Sequence, residues 1–239
     1  MKKLLPIFLI SALFAPTVLA GEPQIEAKAA FVYDIKSGKV LYAHNQSAQL
    51  PLASLTKLMT VYSAAEFGSG LLERDEACFT LVVSSNNEAT KIAERIPSAT
   101  MEMNLNAKAL GMTQTFYLNP TGLDISEHLA GAYGSAKDMA RLVEEMYYEL
   151  PEILDCTREK EARLGDLLLS NTNPDVSKII GLIGTKTGLT DLAGGNLAII
   201  FDSEIDQPVI VIVLGSSEKG RFSDVEALIN YAMEIKSGS

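Results

Sequence analysis

The chain has 239 residues, with 20 Lys and Arg against 30 Asp and Glu, a net charge of −10. A protein this acidic repels nucleic acid, and its length suits one domain, or one domain with two lobes, around a sizeable core. The two histidines, His44 and His128, stand in no HxxxH or HxH setting, so zinc lacks its ligands and a Ser-His-Asp triad lacks its base.

In chain order the first element is a leader. Lys2 and Lys3 precede the apolar run "LLPIFLISALFAPTVLA", which ends in Val18-Leu19-Ala20. This is the pattern of a secretory signal peptide cut after Ala20. Pro6 and Pro16 break the run and no basic stop-transfer flank follows, which argues against a membrane anchor. No Cys follows the cut, so a lipoprotein is not expected. Residues 21–239 are then expected as a periplasmic or extracellular domain. There a disulfide between Cys78 and Cys156 is permissible, although two cysteines far apart in sequence do not establish one. No later segment is long and apolar enough to span a membrane, and no basic amphipathic tail follows the last predicted helix.

"AAFVYDIKSGKVLYAHN" reads as a hairpin turning at Lys36-Ser37-Gly38. "LTKLMTVYSAAEF" is helical and stops at Gly68-Ser69-Gly70. Further helices are expected over "NNEATKIAERI", over "ATMEMNLNAKALG", which closes on Gly111, and over "SAKDMARLVEEMYY", capped by Ser135. "YLNPTGLD" between them is a loop. "GLIGTKTGLT" is a strand candidate. "GGNLAIIFD" and "PVIVIVLGS" form a second hairpin through "SEIDQ", and a helix follows. Strands at both ends and helices between them predict an α+β fold. We expect one antiparallel sheet, about 21–52 and 179–239, flanked by the first and last helices, with a helical lobe inserted over about 53–178.

Three short motifs bear on chemistry. Ser54 and Lys57 lie three apart on a predicted helix, so both side chains share a face, and a neutral lysine there could take the serine proton. Neutrality near pH 7 would need burial or a second cation nearby. Taken alone, Lys57 also reads as a lysine reaching back to water. Ser85-Asn86-Asn87 before a helix also reads as an N-cap. Lys186-Thr187-Gly188 also reads as an exposed strand end.

Together, Ser54-x-x-Lys57, Ser85-x-Asn87 and Lys186-Thr187-Gly188 resemble the three motifs of penicillin-binding proteins and serine β-lactamases. "PLASLTKLMT", "LVVSSNNEA", "LNPTGLD", "SAKDMARL" and "TKTGLTDLAGGNLA" look most like the D-alanyl-D-alanine carboxypeptidases, the low-molecular-mass group. That resemblance implies a penicillin-sensitive serine peptidase of the cell wall, with peptidoglycan stem peptides as substrate, β-lactams as covalent inhibitors and no cofactor. It implies Ser54 as nucleophile, Lys57 as general base, Ser85 as a proton bridge to the leaving amine, and Asn87 as the residue that orients Lys57 and the substrate amide. Lys186 would keep Lys57 neutral and attract the substrate carboxylate, which Thr187 would bind. Backbone N–H groups of Ser54 and Leu189, beside Gly188, would form the oxyanion hole. Arg221 resembles an arginine that binds the terminal carboxylate, although one Arg in a polar loop is also an ordinary surface cation.

The interval from Ser54 to Ser85 is shorter than in that group, "GSGLLERDEACFT" standing where extra helices and a loop are expected. A thinner helical lobe and a more open cleft would follow. The group's C-terminal β-rich domain and membrane-binding tail have no counterpart in this sequence. Two enzymatic alternatives are cleavage of cross-links as an endopeptidase and β-lactamase activity. The latter needs a second base for deacylation, and Phe116 and Tyr117, not an acid, precede Leu118-Asn119. A shortened, non-catalytic peptidoglycan-binding relative is the third.

Overall fold

The computed structural model describes residues 21–68 and 70–238. The leader and Ser69 of the predicted turn lie outside them. Strands β1 (Ala29–Asp34) and β2 (Lys39–His44) form the first hairpin, and the short β3 (Leu50–Pro51) leads into a 3-10 turn at Ala53–Leu55. Helices α1 (Thr56–Phe67), α2 (Arg74–Val82), α3 (Asn86–Glu94) and α4 (Ala99–Ala109) follow, then β4 (Phe116–Tyr117) and β5 (Ala132–Gly134). After α5 (Ala136–Glu149) and α6 (Pro151–Cys156) comes a small hairpin, β6 (Glu161–Leu164) and β7 (Leu167–Ser170). Strands β8 (Leu182–Thr190), β9 (Gly194–Asp202) and β10 (Pro208–Ser216) and helix α7 (Gly220–Ser237) complete the described chain.

The predicted α+β class holds. The main sheet runs β2-β1-β10-β9-β8 with antiparallel pairing throughout, so strands from both ends of the chain meet at the β1–β10 pair. Its strands are apolar on both faces. Ala29, Phe31, Ala198, Ile200, Ile210, Ile212 and Leu214 join the helical lobe's core. Their alternating neighbours, including Val32, Ile199, Val209, Val211 and Val213, pack with Val225, Leu228 and Ala232 of α7. A period of two divides the residues between two cores, each buried aliphatic side chain contributing about 1.5–3 kcal/mol.

One expectation is corrected. α7 flanks the sheet as predicted, but α5, not the first helix, covers the other face. α1 is instead the centre of the helical lobe, with every residue from Thr56 to Ala64 buried. The single sheet expected is also corrected, since β3-β5-β4 and β6-β7 form two further small antiparallel sheets. The sequence reading had no counterpart for the strands of these two sheets, nor for α2 and α6. α2 is buried without interruption from Glu76 to Val82, and a helix covered all round shows no amphipathic stripe. β7 is exposed along its whole length, so no core face imposes alternation on it. Cys78 and Cys156 form a disulfide that joins α2 to α6.

Candidate active site

Ser54 sits in the 3-10 turn that feeds α1, half-buried, and Lys57 in the first turn of α1 is fully buried. Lys57 Nζ lies 2.9 Å from Ser54 Oγ, 2.7 Å from Asn86 Oδ1 and 2.8 Å from the Thr121 carbonyl oxygen. Burial pushes its pKa down to about 7. A neutral amine has two N–H donors and one lone pair. Asn86 Oδ1 and the Thr121 carbonyl can only accept, so they take both donors, and the lone pair is left facing the Ser54 hydroxyl.

The loop that brings Thr121 to Lys57 is tied by one side chain. Asn119 Oδ1 accepts from Thr121 N, Thr121 Oγ1 and Gly122 N, and its Nδ2 donates to the Leu123 carbonyl. Gly122 has φ +78°, and a Cβ there would lie 1.8 Å from the Ala53 carbonyl oxygen. Only glycine lets this loop press against the backbone beside the nucleophile. The sequence marked "YLNPTGLD" as a loop. Nothing in its residue types tells that a carbonyl points at the lysine.

The second motif is corrected by one residue. Ser85, expected as the proton bridge, is the N-cap of α3, its Oγ accepting from Glu88 N at 3.2 Å. Asn87, expected to orient Lys57, donates instead to Glu88 Oε1. The groups that face the two lysines are Ser84 and Asn86. Ser84 Oγ accepts from Lys186 Nζ at 2.9 Å. "SSNN" contains two overlapping S-x-N registers, and the cap decides between them. A serine three residues before Glu88 is the capping-box signature, so Ser85 starts the helix and Ser84 lies outside it. Ser84 adopts φ +58°, a left-handed conformation that costs a serine about 1–2 kcal/mol and needs support from its surroundings.

The third motif lies on β8, an edge strand. Lys186 is buried, with Nζ also donating to the Thr187 carbonyl at 2.8 Å. Its pKa is held well below the usual lysine range by burial first, then by the positive charges of Lys57 and Arg221. The expectation that Lys186 keeps Lys57 neutral is therefore corrected: burial lowers Lys57, and the Lys57 charge in turn adds to the lowering of Lys186. Thr187 Oγ1 donates to Thr172 Oγ1 at 2.7 Å. A Cβ on Gly188 would lie 3.0 Å from the Leu52 carbonyl oxygen, so β8 passes close to the chain entering Ser54. Leu189, partly exposed, pairs with Gly195 of β9. Arg221 is no surface cation. It is buried in the first turn of α7, its Nη1 donates to the Gly188 carbonyl at 2.7 Å, and its Nε has no partner among the described residues.

Comparison with known proteins agrees with this geometry. The family model described as D-alanyl-D-alanine carboxypeptidase matches residues 17–77 and 68–218, in two pieces that meet between the first and second motifs. The chain is 30% identical to a D-alanyl-D-alanine endopeptidase of Pseudomonas aeruginosa over 90% of its own length and 80% of that protein's. It is 28% identical to the Escherichia coli D-alanyl-D-alanine carboxypeptidase DacC, over 93% of this chain and 66% of that one. That alignment spans 270 positions, so DacC has several tens of residues without a counterpart here. Penicillin-binding protein D2 of Listeria monocytogenes, solved in a cefotaxime-bound form, superposes with a TM-score of 0.80 at 28% identity, covering 89% of this chain and 99% of that one. A family match that runs from the leader to the end of β10, on a chain whose Lys57 amine lies 2.9 Å from the Ser54 hydroxyl, makes this protein a member of the D-alanyl-D-alanine carboxypeptidase family.

Proposed function

We propose that this protein is an exported, penicillin-sensitive serine peptidase that releases the terminal D-Ala from peptidoglycan stem peptides through an acyl-enzyme on Ser54. The observation that carries this reading is the 2.9 Å contact between Ser54 Oγ and a Lys57 amine whose pKa is lowered to about 7. Ser54 Oγ attacks the carbonyl of the penultimate D-Ala while Lys57 Nζ takes its proton. The backbone N–H groups of Ser54 and Leu189 receive the developing oxyanion. As the peptide bond breaks, the proton taken by Lys57 is passed on to the leaving D-Ala amine through Ser84 Oγ, which lies 2.9 Å from Lys186 Nζ. Water then attacks the ester, with Lys57 again as base, and Ser54 is restored. Arg221 offers positive charge, and Lys186 and Thr187 offer N–H and O–H donors, to the substrate's terminal carboxylate.

A β-lactam enters the same chemistry with an amide that opens rather than leaves, so the acyl group stays on Ser54. The disulfide between α2 and α6 fits an oxidising compartment and supports export. Mass spectrometry after exposure to penicillin tests the reading, with one adduct expected on Ser54 and none in Ser54→Ala. An adduct that persists in that variant would overturn it.

A second reading is favoured by the likeness to the Pseudomonas endopeptidase and by the short interval beside the cleft: cleavage of D-Ala-containing cross-links. Release of D-Ala from a pentapeptide, compared with cleavage of a cross-linked dimer, separates the two.

A further inference from the structure

We propose that the Cys78–Cys156 disulfide is a positioning device for the active site, holding α2 so that Ser84 stays in its left-handed conformation against Lys186. This rests on the peptidase reading above.

The two pieces of the family match overlap at residues 68–77, and α2 begins inside that interval. The short segment must still deliver Ser84, which follows α2 by two residues. α1 hands the chain to α2 through Gly68 and Gly70 with no helix between. Beside its contact with α1, α2 is held from three further places. Cys78 ties it to Cys156 at the end of α6. Phe79 and Val82 pack with Ala162 and Leu164 of β6. Arg95 after α3 grips Glu76 with two bonds, at 2.5 and 2.7 Å.

The disulfide also leads to the other half of the pair. Thr157, next to Cys156, accepts from Thr185 N through its Oγ1 at 2.8 Å, and Thr185 adjoins Lys186. Thr172 N donates to the Val82 carbonyl at 3.0 Å, while its hydroxyl meets Thr187. One covalent bond thus sits between the segment that bears Ser84 and the strand that bears Lys186. Without it, α2 keeps its contacts to β6 and α3, and Ser84 is free to relax from φ +58° to an unstrained backbone, which carries Oγ away from Lys186.

The test compares wild type with Cys78→Ala/Cys156→Ala at 15 °C, after circular dichroism shows the variant folded. Two readouts are taken: the second-order rate of acylation by a fluorescent penicillin, and amide hydrogen exchange. Expected are acylation at least about tenfold slower and faster exchange confined to residues 74–87, with β9 and β10 unchanged. In a Ser84→Ala background the same two alanines should cost little further, because the path they act through is already cut. Unchanged acylation, an equal loss in the Ser84→Ala background, or faster exchange spread over the whole fold would each overturn the proposal. Should the double variant fail to fold, wild type reduced by dithiothreitol replaces it, two thiols forming as the reductant cyclises. Unfolding of that form as well would make the bond a general stabiliser and end the proposal. A wild type that forms no adduct on Ser54 would remove the peptidase reading instead, and the exchange measurement would then decide the positioning by itself.

Discussion

Two serine–lysine pairs stand 2.9 Å apart in this molecule, and they are built in opposite ways. Ser54 and Lys57 are three residues apart, and helical periodicity alone puts them on one face of one turn. Ser84 and Lys186 are 102 residues apart. One hangs from a short helix and the other projects from an edge strand. The first pair forms whenever the 3-10 turn and the first turn of α1 form together. The second exists only when two lobes, a disulfide and a left-handed serine all agree. A local pair inherits its geometry from the backbone, whereas a remote pair has to be held there by everything between.

Several measurements sharpen or break that contrast. The largest effect is expected from Lys57→Met, which keeps the buried bulk and removes the base. Acylation by penicillin should fall by about 10³, and a near-wild-type rate would place the base elsewhere. Next comes the remote pair. Ser84→Ala should slow acylation by about 10² with little change in melting temperature, and Asn86→Ala should do likewise while Asn87→Ala leaves the rate within about twofold. Should the Asn87 variant prove the damaged one, the assignment of the second motif is wrong.

The pH dependence follows from Lys57. Its neutral form is the reactive one and its pKa is about 7, so acylation should fall about tenfold per pH unit well below pH 7 and level off above it. Stability should move the same way. Between about 7 and the ordinary lysine value of 10.5, the unfolded chain holds a proton that the folded chain has released. Stability therefore rises with pH across that window, and below it the cost of a buried charged amine is borne in full. A rate profile flat from pH 5 to 8 would contradict this. The smallest effect belongs to Ser85→Ala, the loss of a helix cap, worth about 1 kcal/mol of stability with acylation unchanged.

What could be read from the sequence follows the same division. The β-rich apolar runs "PVIVIVLGS" and "GGNLAIIFD" marked β10 and β9, and Ser135 marked the start of α5, because composition of a short run and a cap are local signals. The spacing of Ser54 and Lys57 was legible for that reason too. α2 was not, since burial on all sides erases the pattern that a half-exposed helix displays. "SSNN" was legible only as a motif and not in its register. The choice between Ser84 and Ser85 depends on where a helix begins, and Glu88 was the residue that could have told. The disulfide was permitted by composition and decided by the packing of two short helices. Arg221 could be read as a carboxylate-binding arginine or as a loop cation, and only the approach of α7 to the end of β8 buries it against Gly188.

Gly122 and Gly188 share a consequence for the nucleophile. Each lets a neighbouring segment lie close to the backbone that enters the Ser54 turn, Gly122 against the Ala53 carbonyl and Gly188 against the Leu52 carbonyl. At Gly122 a methyl group would have to push the Ala53 peptide aside, and the turn that carries the serine would move with it. The distance from Ser54 to its lysine is thus guarded by a hydrogen atom on a loop nearly seventy residues away.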